Sequence, residues 1–160
     1  MEIPVELSPS VKRALKRLSM GDLTCGEMEA YLTDPRRSVS FSPEIAQRTV
    51  CLLVEEGFLD DKRYLRLFVK HLDEKCCGPR RIRQELIRRR FPPRFVEAVL
   101  DRKVDYTRRA KTFLQKKYGA APLSLTPSEK KKYQDALIRY GYDYAAASSA
   151  ISEYMRGEDF

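Results

Sequence analysis

Apolar residues recur along this chain every three or four positions, and nowhere do they alternate with period two for long enough to make a strand. The first stripe is Val11, Ala14, Leu15 and Leu18. It is entered through Ser8-Pro9, a cap followed by proline at the first helical position, and is stopped by Met20-Gly21-Asp22. Thr24 with Glu27 three residues on is a capping box that opens a short helix bearing Met28, Tyr31 and Leu32. After a polar loop from Thr33 to Ser40, Ser42-Pro43 caps a third helix with Ala46, Val50, Leu53 and Val54 inward. Gly57 closes it as a left-handed C-cap glycine. Asp60 caps a fourth helix carrying Tyr64, Leu65, Phe68 and Leu72, and Gly78-Pro79 opens a fifth with Ile82 and Leu86 inward. Pro92-Pro93 forces a break and starts a sixth with Phe95, Val96, Val99 and Leu100. Asp105 to Tyr118 predicts a seventh, followed by a linker from Ala120 to Leu125. A second capping box, Thr126 with Glu129, opens an eighth that Gly141 ends. Asp143 caps a ninth with Tyr144, Ala147, Ile151 and Tyr154 on one side.

The pattern repeats. Leu86-Ile-Arg-Arg-Arg-Phe91, then Phe95, Val96, Val99 and Leu100, returns 51 positions later as Leu137-Ile-Arg-Tyr-Gly-Tyr142, then Ala146, Ala147, Ala150 and Ile151. A fainter copy, Phe41-Ser-Pro-Glu-Ile45 running to Val50, matches Phe91-Pro-Pro-Arg-Phe95 running to Leu100. Repeats of this length are stacked helical units, each too small to bury its own apolar face. The predicted fold is all-α: three tandem three-helix bundles, residues 8–58, 59–103 and 104–156, in an elongated, curved molecule. Such a surface suits an extended partner better than a small substrate.

Charge divides the chain. Residues 1–60 carry −3 and residues 61–160 carry +11, so the second part faces something acidic, whether nucleic acid or an acidic protein surface. The densest segment holds Lys75, Arg80, Arg81, Arg83, Arg88, Arg89, Arg90 and Arg94, with Glu85 the one acid among them. With Ile82 and Leu86 facing the core, most of the exposed circumference there is basic. Arginine forks suit phosphates and carboxylates alike; a solvated helix face is the plainer alternative. Lys116-Lys117 and Lys130-Lys131-Lys132 with Arg139 form two further groups. The lysines at 130–132 stand in a first helical turn, where cations oppose the helix dipole. Tyr106, Tyr133 and Tyr144 fall on apolar stripes and are expected in the core. Tyr118, Tyr140 and Tyr142 flank basic residues and glycine, where they can meet a base or a partner ring.

Catalytic chemistry finds no footing in these residues. His71 is the one histidine and has no ligand set around it. Gly57, Gly78, Gly119 and Gly141 are isolated turn glycines, not a phosphate-cradling loop. Cys25, Cys51, Cys76 and Cys77 include no Cys-x-x-Cys pair, so they are expected to be idle thiols in a reducing cytosol, with no metal and no cofactor. Met1-Glu-Ile-Pro-Val-Glu6 lacks the features of a signal peptide, and no apolar run approaches membrane length. The expectation is a cytoplasmic, monomeric, non-enzymatic protein.

Two runs stand out: Glu56-Gly-Phe-Leu-Asp-Asp-Lys-Arg-Tyr64 and Cys77-Gly-Pro-Arg-Arg-Ile-Arg-Gln-Glu-Leu86. In this order and spacing they resemble the RecX family, bacterial regulators of the RecA recombinase. The likeness extends upstream to Thr24, Glu27 and Met28, and downstream through Lys116-Lys-Tyr-Gly119 to Arg139-Tyr-Gly-Tyr142, about residues 11 to 155. It implies tandem three-helix units that bind RecA filaments along the helical groove and inhibit ATP hydrolysis, strand exchange and co-protease function, in DNA repair and the SOS response. Arg90 departs from the family pattern: it stands where glycine is common. A side chain in a left-handed turn costs about 1 kcal/mol, so a different turn is expected there, with Pro92-Pro93 compensating. The competing reading is direct, weak, sequence-nonspecific binding of single- or double-stranded DNA by helix-turn-helix-like units. In either reading the interface is expected among Lys75, Arg80, Arg81, Arg83, Arg88, Arg89, Arg90, Arg94, Lys116, Lys117, Lys130, Lys131, Lys132, Arg139 and Tyr140.

Overall fold

A computed structural model describes residues 1–157. Among them are a 3-10 turn at Val5–Leu7 and nine α-helices, with no strand. The helices are α1 (Ser8–Leu18), α2 (Cys25–Thr33), α3 (Pro43–Glu55), α4 (Asp61–Glu74), α5 (Pro79–Arg88), α6 (Pro93–Leu100), α7 (Tyr106–Tyr118), α8 (Pro127–Arg139) and α9 (Tyr144–Arg156). The all-helical expectation therefore holds. Among the described residues no helix is long and apolar enough to cross a membrane.

Both capping boxes form. Thr24 Oγ1 accepts from Glu27 N at 3.0 Å while Glu27 accepts from Thr24 N at 3.0 Å, and Thr126 with Glu129 repeats the arrangement. Asp60, Asp105 and Asp143 each accept from the backbone N–H three residues on. Ser8 differs from expectation. The 3-10 turn feeds straight into α1, so Ser8 is already helical and Leu7 stands at the cap with no side-chain bond. Ser10 reaches back instead, donating to Leu7 O at 2.8 Å in a buried position beside Thr49.

Four helices end in one kind of turn. In each, a left-handed residue donates to the carbonyl three back, and the residue after it donates to the carbonyl five back, a Schellman closure. The left-handed residues are Gly57, Cys76, Arg90 and Gly141, with φ of 76°, 55°, 55° and 96°. Phe58, Cys77, Phe91 and Tyr142 then bond to Leu53, Leu72, Leu86 and Leu137, at 2.8 to 3.1 Å. Arg90 thus keeps the turn that was expected to change. The physical reason is that Phe91, like Tyr142 at the corresponding position of the repeat, is buried, and burying an aromatic ring outweighs about 1 kcal/mol of backbone strain.

The chain forms two compact units. The first comprises residues 1–67 and 86–95, with a core of Ala14, Leu23, Met28, Leu32, Ala46, Val50, Leu53 and Leu59. The second comprises residues 68–85 and 96–157, with Phe113, Leu114, Tyr133, Leu137, Tyr142, Ile151 and Tyr154 at its centre. Helix α5 contributes its last turn to the first unit and its first turns to the second. In the first unit the start of α2 meets the end of α5: Thr24 Oγ1 donates to Arg89 O at 2.7 Å, and a Cβ on Gly26 would stand 2.9 Å from the Arg90 Cβ. In the second unit the start of α5 meets the end of α8 in the same way, so one docking mode serves twice.

Candidate functional site

In the second unit the backbone of Cys77-Gly78-Pro79 lies against that of Tyr140-Gly141-Tyr142. Gly78 N donates to Tyr140 O at 2.8 Å and Arg80 N to Gly141 O at 3.1 Å, while the Tyr142 hydroxyl donates to Cys76 O. The approach leaves no room for side chains. A Cβ on Gly78 would lie 2.5 Å from the Gly141 carbonyl carbon, and one on Gly141 would lie 2.3 Å from Arg81 N. This crossing gathers Arg80, Arg81, Arg139 and Tyr140, which the sequence places about sixty residues apart. The Arg81 guanidinium sits 4.8 Å from the Tyr140 ring centroid, with Arg81 half-buried, whereas Arg80 and Arg139 are exposed.

The other end of α8 collects the remaining lysines. Lys117 and Lys132 approach the Tyr118 ring at 5.4 and 5.7 Å, and that ring stacks on Tyr133 with centroids 4.3 Å apart. Between the two ends runs an open groove of about 560 Å³, lined by Ser128, Lys131, Lys132, Asp135, Ile138 and Arg139. Lys132 and Arg139 are seven residues apart, so they share a flank at about 10 Å. Exposed Ile138 adds an apolar spot. Such a face can form charge-assisted hydrogen bonds with carboxylates or phosphates along its length. Among the described residues no group of His, Cys, Asp and Glu is arranged to hold a metal ion.

Other sequence-predicted residues are placed elsewhere. Arg83 bonds Glu97 at 2.9 Å, and Arg89 bonds Glu27 at 3.3 Å. Arg90 packs its Cβ over Gly26. Lys116 donates to Glu74 O at 3.1 Å, Arg94 lies 5.1 Å from the Phe95 ring, and Lys75 and Arg88 are exposed. Two tyrosine expectations are corrected. Tyr142 is fully buried, because its place in the repeat is that of Phe91, and its flanking glycine serves close packing. Tyr144, at the first position of α9, is 68% exposed because that end faces solvent. Burial pushes the Tyr142 hydroxyl well above its ordinary range, with the neighbouring Cys76 adding to it. The Cys25 thiol is pushed up to about 12 by burial and by Asp61, so it stays protonated and unreactive.

One cluster went unread in the sequence. Arg13, Arg17 and Arg37 surround the Tyr31 ring in the first unit at 5.6, 5.9 and 4.2 Å. The net negative charge of residues 1–60 hid it, and the loop that brings Arg37 to α2 has no local signature.

A family model described as "RecX, second three-helix domain" matches residues 60–100. The regulatory protein RecX of Cronobacter sakazakii is 30% identical over 137 residues, covering 81% of this chain and 82% of that protein. Regulatory protein RecX of Salmonella arizonae and of Escherichia coli are each 31% identical over the same share of both chains. A crystal structure of a regulatory protein RecX superposes with a TM-score of 0.66 at 17% identity, over 99% of this chain and 80% of that one, a likeness of fold.

Proposed function

This chain belongs to the RecX family, and from that premise we propose that it docks on RecA–DNA filaments, in the helical groove, and inhibits RecA ATPase, strand exchange and co-protease activity. The observation that carries the reading is the basic face of α8, where Arg80, Arg139 and Lys131 gather from segments distant in sequence. We take residues 8–58, 59–103 and 104–156 as the three functional repeats. The docking mode used by α2 on α5 and again by α5 on α8 supports that division. Repeats joined this way bridge several protomers of a polymer and hold back the motions that ATP hydrolysis needs. A filament on DNA also places the protein in the cytoplasm. The test is the double variant Lys131→Glu/Arg139→Glu, both positions being exposed. With folding verified by circular dichroism, the concentration giving half-inhibition of RecA ATPase on single-stranded DNA should rise at least about tenfold, equivalent to about 1.4 kcal/mol. Inhibition undiminished by the change removes the α8 face from the mechanism.

A further inference from the structure

Residues 1–60 are acidic overall, yet six of their seven lysines and arginines fall in two places. Lys12, Arg13, Lys16 and Arg17 are on α1, and Arg36 and Arg37 are in the loop after α2. Helix α1 has no acid of its own. Arg13 and Arg17 stand one turn apart, about 6 Å along the axis. Both guanidiniums are turned to the Tyr31 ring, and Arg37 lies 4.2 Å from its centroid. Like charges at four-residue spacing repel. Among the described residues neither the Arg13 nor the Arg17 guanidinium has an acidic partner or a hydrogen bond. The Arg13 Nε is moreover shut off from water with nothing to donate to, a state that native structures seldom leave without a reason. Arg37 is only partly answered: Asp34, at 3.6 Å, already holds Arg36 at 2.9 Å. The helix dipole accounts for Lys16 and Arg17, in the last turn of α1, but not for Arg13.

We propose that Arg13 and Arg17, with Arg37 beside them, form a binding site for one phosphate monoester group. Such a group carries about −1.5 to −2 charges at pH 7 and three acceptor oxygens. It therefore balances two unpaired cations, and each guanidinium donates to a different oxygen. A carboxylate or a phosphodiester brings a single charge and leaves one guanidinium unanswered. The Tyr31 ring already carries three guanidiniums, so recognition rests on the phosphate and not on the stacking of a base. An extended polyanion fits poorly. The one other cation of residues 1–60, Arg48, is paired with Glu6, and beyond it this stretch offers acids that repel a long charged chain more than a compact group. The phosphate can belong to a small free ester or to the end of a nucleic acid strand, since the chemistry at the site is the same.

The test is calorimetric titration of the full chain with methyl phosphate, dimethyl phosphate and acetate at fixed ionic strength. Methyl phosphate should bind at least about tenfold tighter than either of the others. Arg13→Gln/Arg17→Gln should weaken it at least about tenfold, and Lys70→Gln/Lys103→Gln, which removes as much charge elsewhere, less than about twofold. Arg17→Gln alone should give at least about a threefold loss and guards against a misfolded double variant. A hexathymidylate with a 5′-phosphate, compared with one ending in a 5′-hydroxyl, distinguishes the sources. Preference for the phosphorylated strand, lost in the double variant, assigns the site to strand ends; methyl phosphate binding without that preference assigns it to a free ester. The proposal is overturned if methyl phosphate does not bind, if dimethyl phosphate or acetate matches it, or if its affinity survives the double variant. It is equally overturned if both strands bind alike and the double variant releases both, because backbone diesters are then the ligand. No filament enters these measurements, so they and the ATPase result stand or fall separately.

Discussion

Gly57 and Gly141 hold the same left-handed turn under different constraints. A Cβ on Gly57 would meet nothing within 4 Å, whereas one on Gly141 would press into the backbone of Arg81. Gly57→Ala should therefore cost about 1 kcal/mol, the strain of the turn alone. Gly141→Ala should cost about 3 kcal/mol or more, because the α5–α8 crossing must open as well. Arg90 reports the strain from the other side. Its φ of 55° is that of a left-handed residue, and Gly26 opposite it supplies the missing room. Arg90→Gly should raise stability by up to about 1 kcal/mol. Urea unfolding of the three variants, followed by circular dichroism, gives the comparison. Equal losses for Gly57→Ala and Gly141→Ala would mean that the crossing is not tightly packed. The sequence marks these positions as turn residues, but only the fold separates an open turn from a backbone contact.

Among the elements, helix starts were the most legible part of the fold. A cap needs only a side chain and a backbone N–H three residues on, so Thr24, Ser42, Thr126 and Asp143 announce themselves locally. What the helices do to one another was not local. Arg89 is drawn to Glu27, 62 residues away, and Arg83 to Glu97, so two of the predicted surface cations serve the structure. Asp73 at the end of α4 likewise gathers Arg102 from beyond α6 and Arg109 from α7. Burial alone would raise its carboxyl. The hydrogen bond from Arg102 and the charges of both arginines outweigh that and hold it below its ordinary 3.8. A depressed carboxylate contributes stability above the unfolded pKa and loses it as pH falls through the lower, folded value. Asp73→Asn should cost about 1–2 kcal/mol at pH 7, allowing for partial solvent exposure. The gap between wild type and variant should close below about pH 4. Thermal melts at pH 7, 4 and 3 measure it, and a gap independent of pH would take the charge out of the explanation.

At the level of the whole chain, the charge asymmetry was plain in the composition, but its chemical meaning depends on where the fold sends each cation. Of the fifteen predicted interface residues, Arg83 and Arg89 are tied to acids, Lys116 to a carbonyl and Arg81 to a ring. Arg80, Lys130, Lys131, Lys132 and Arg139 are left exposed about α8. That limited number decides between the two partners the basic half allows. If the face met DNA directly, at most about five phosphates would be neutralised, and the logarithm of affinity would fall with the logarithm of salt at a slope of about −4 to −5. Contacts of that kind, with no helix set to read bases, amount to nonspecific binding in the micromolar range or weaker. A protein surface has no condensed counterion layer to release, so docking on the filament through carboxylates should be tighter than DNA binding and less sensitive to salt. The expected outcome, by anisotropy from 50 to 200 mM salt, is weak and steeply salt-dependent binding to DNA alone. Preformed RecA filaments should bind more tightly with a shallower slope. Nanomolar affinity for bare DNA with the steep slope would reverse the assignment, because phosphates alone would then account for the basic half of the chain.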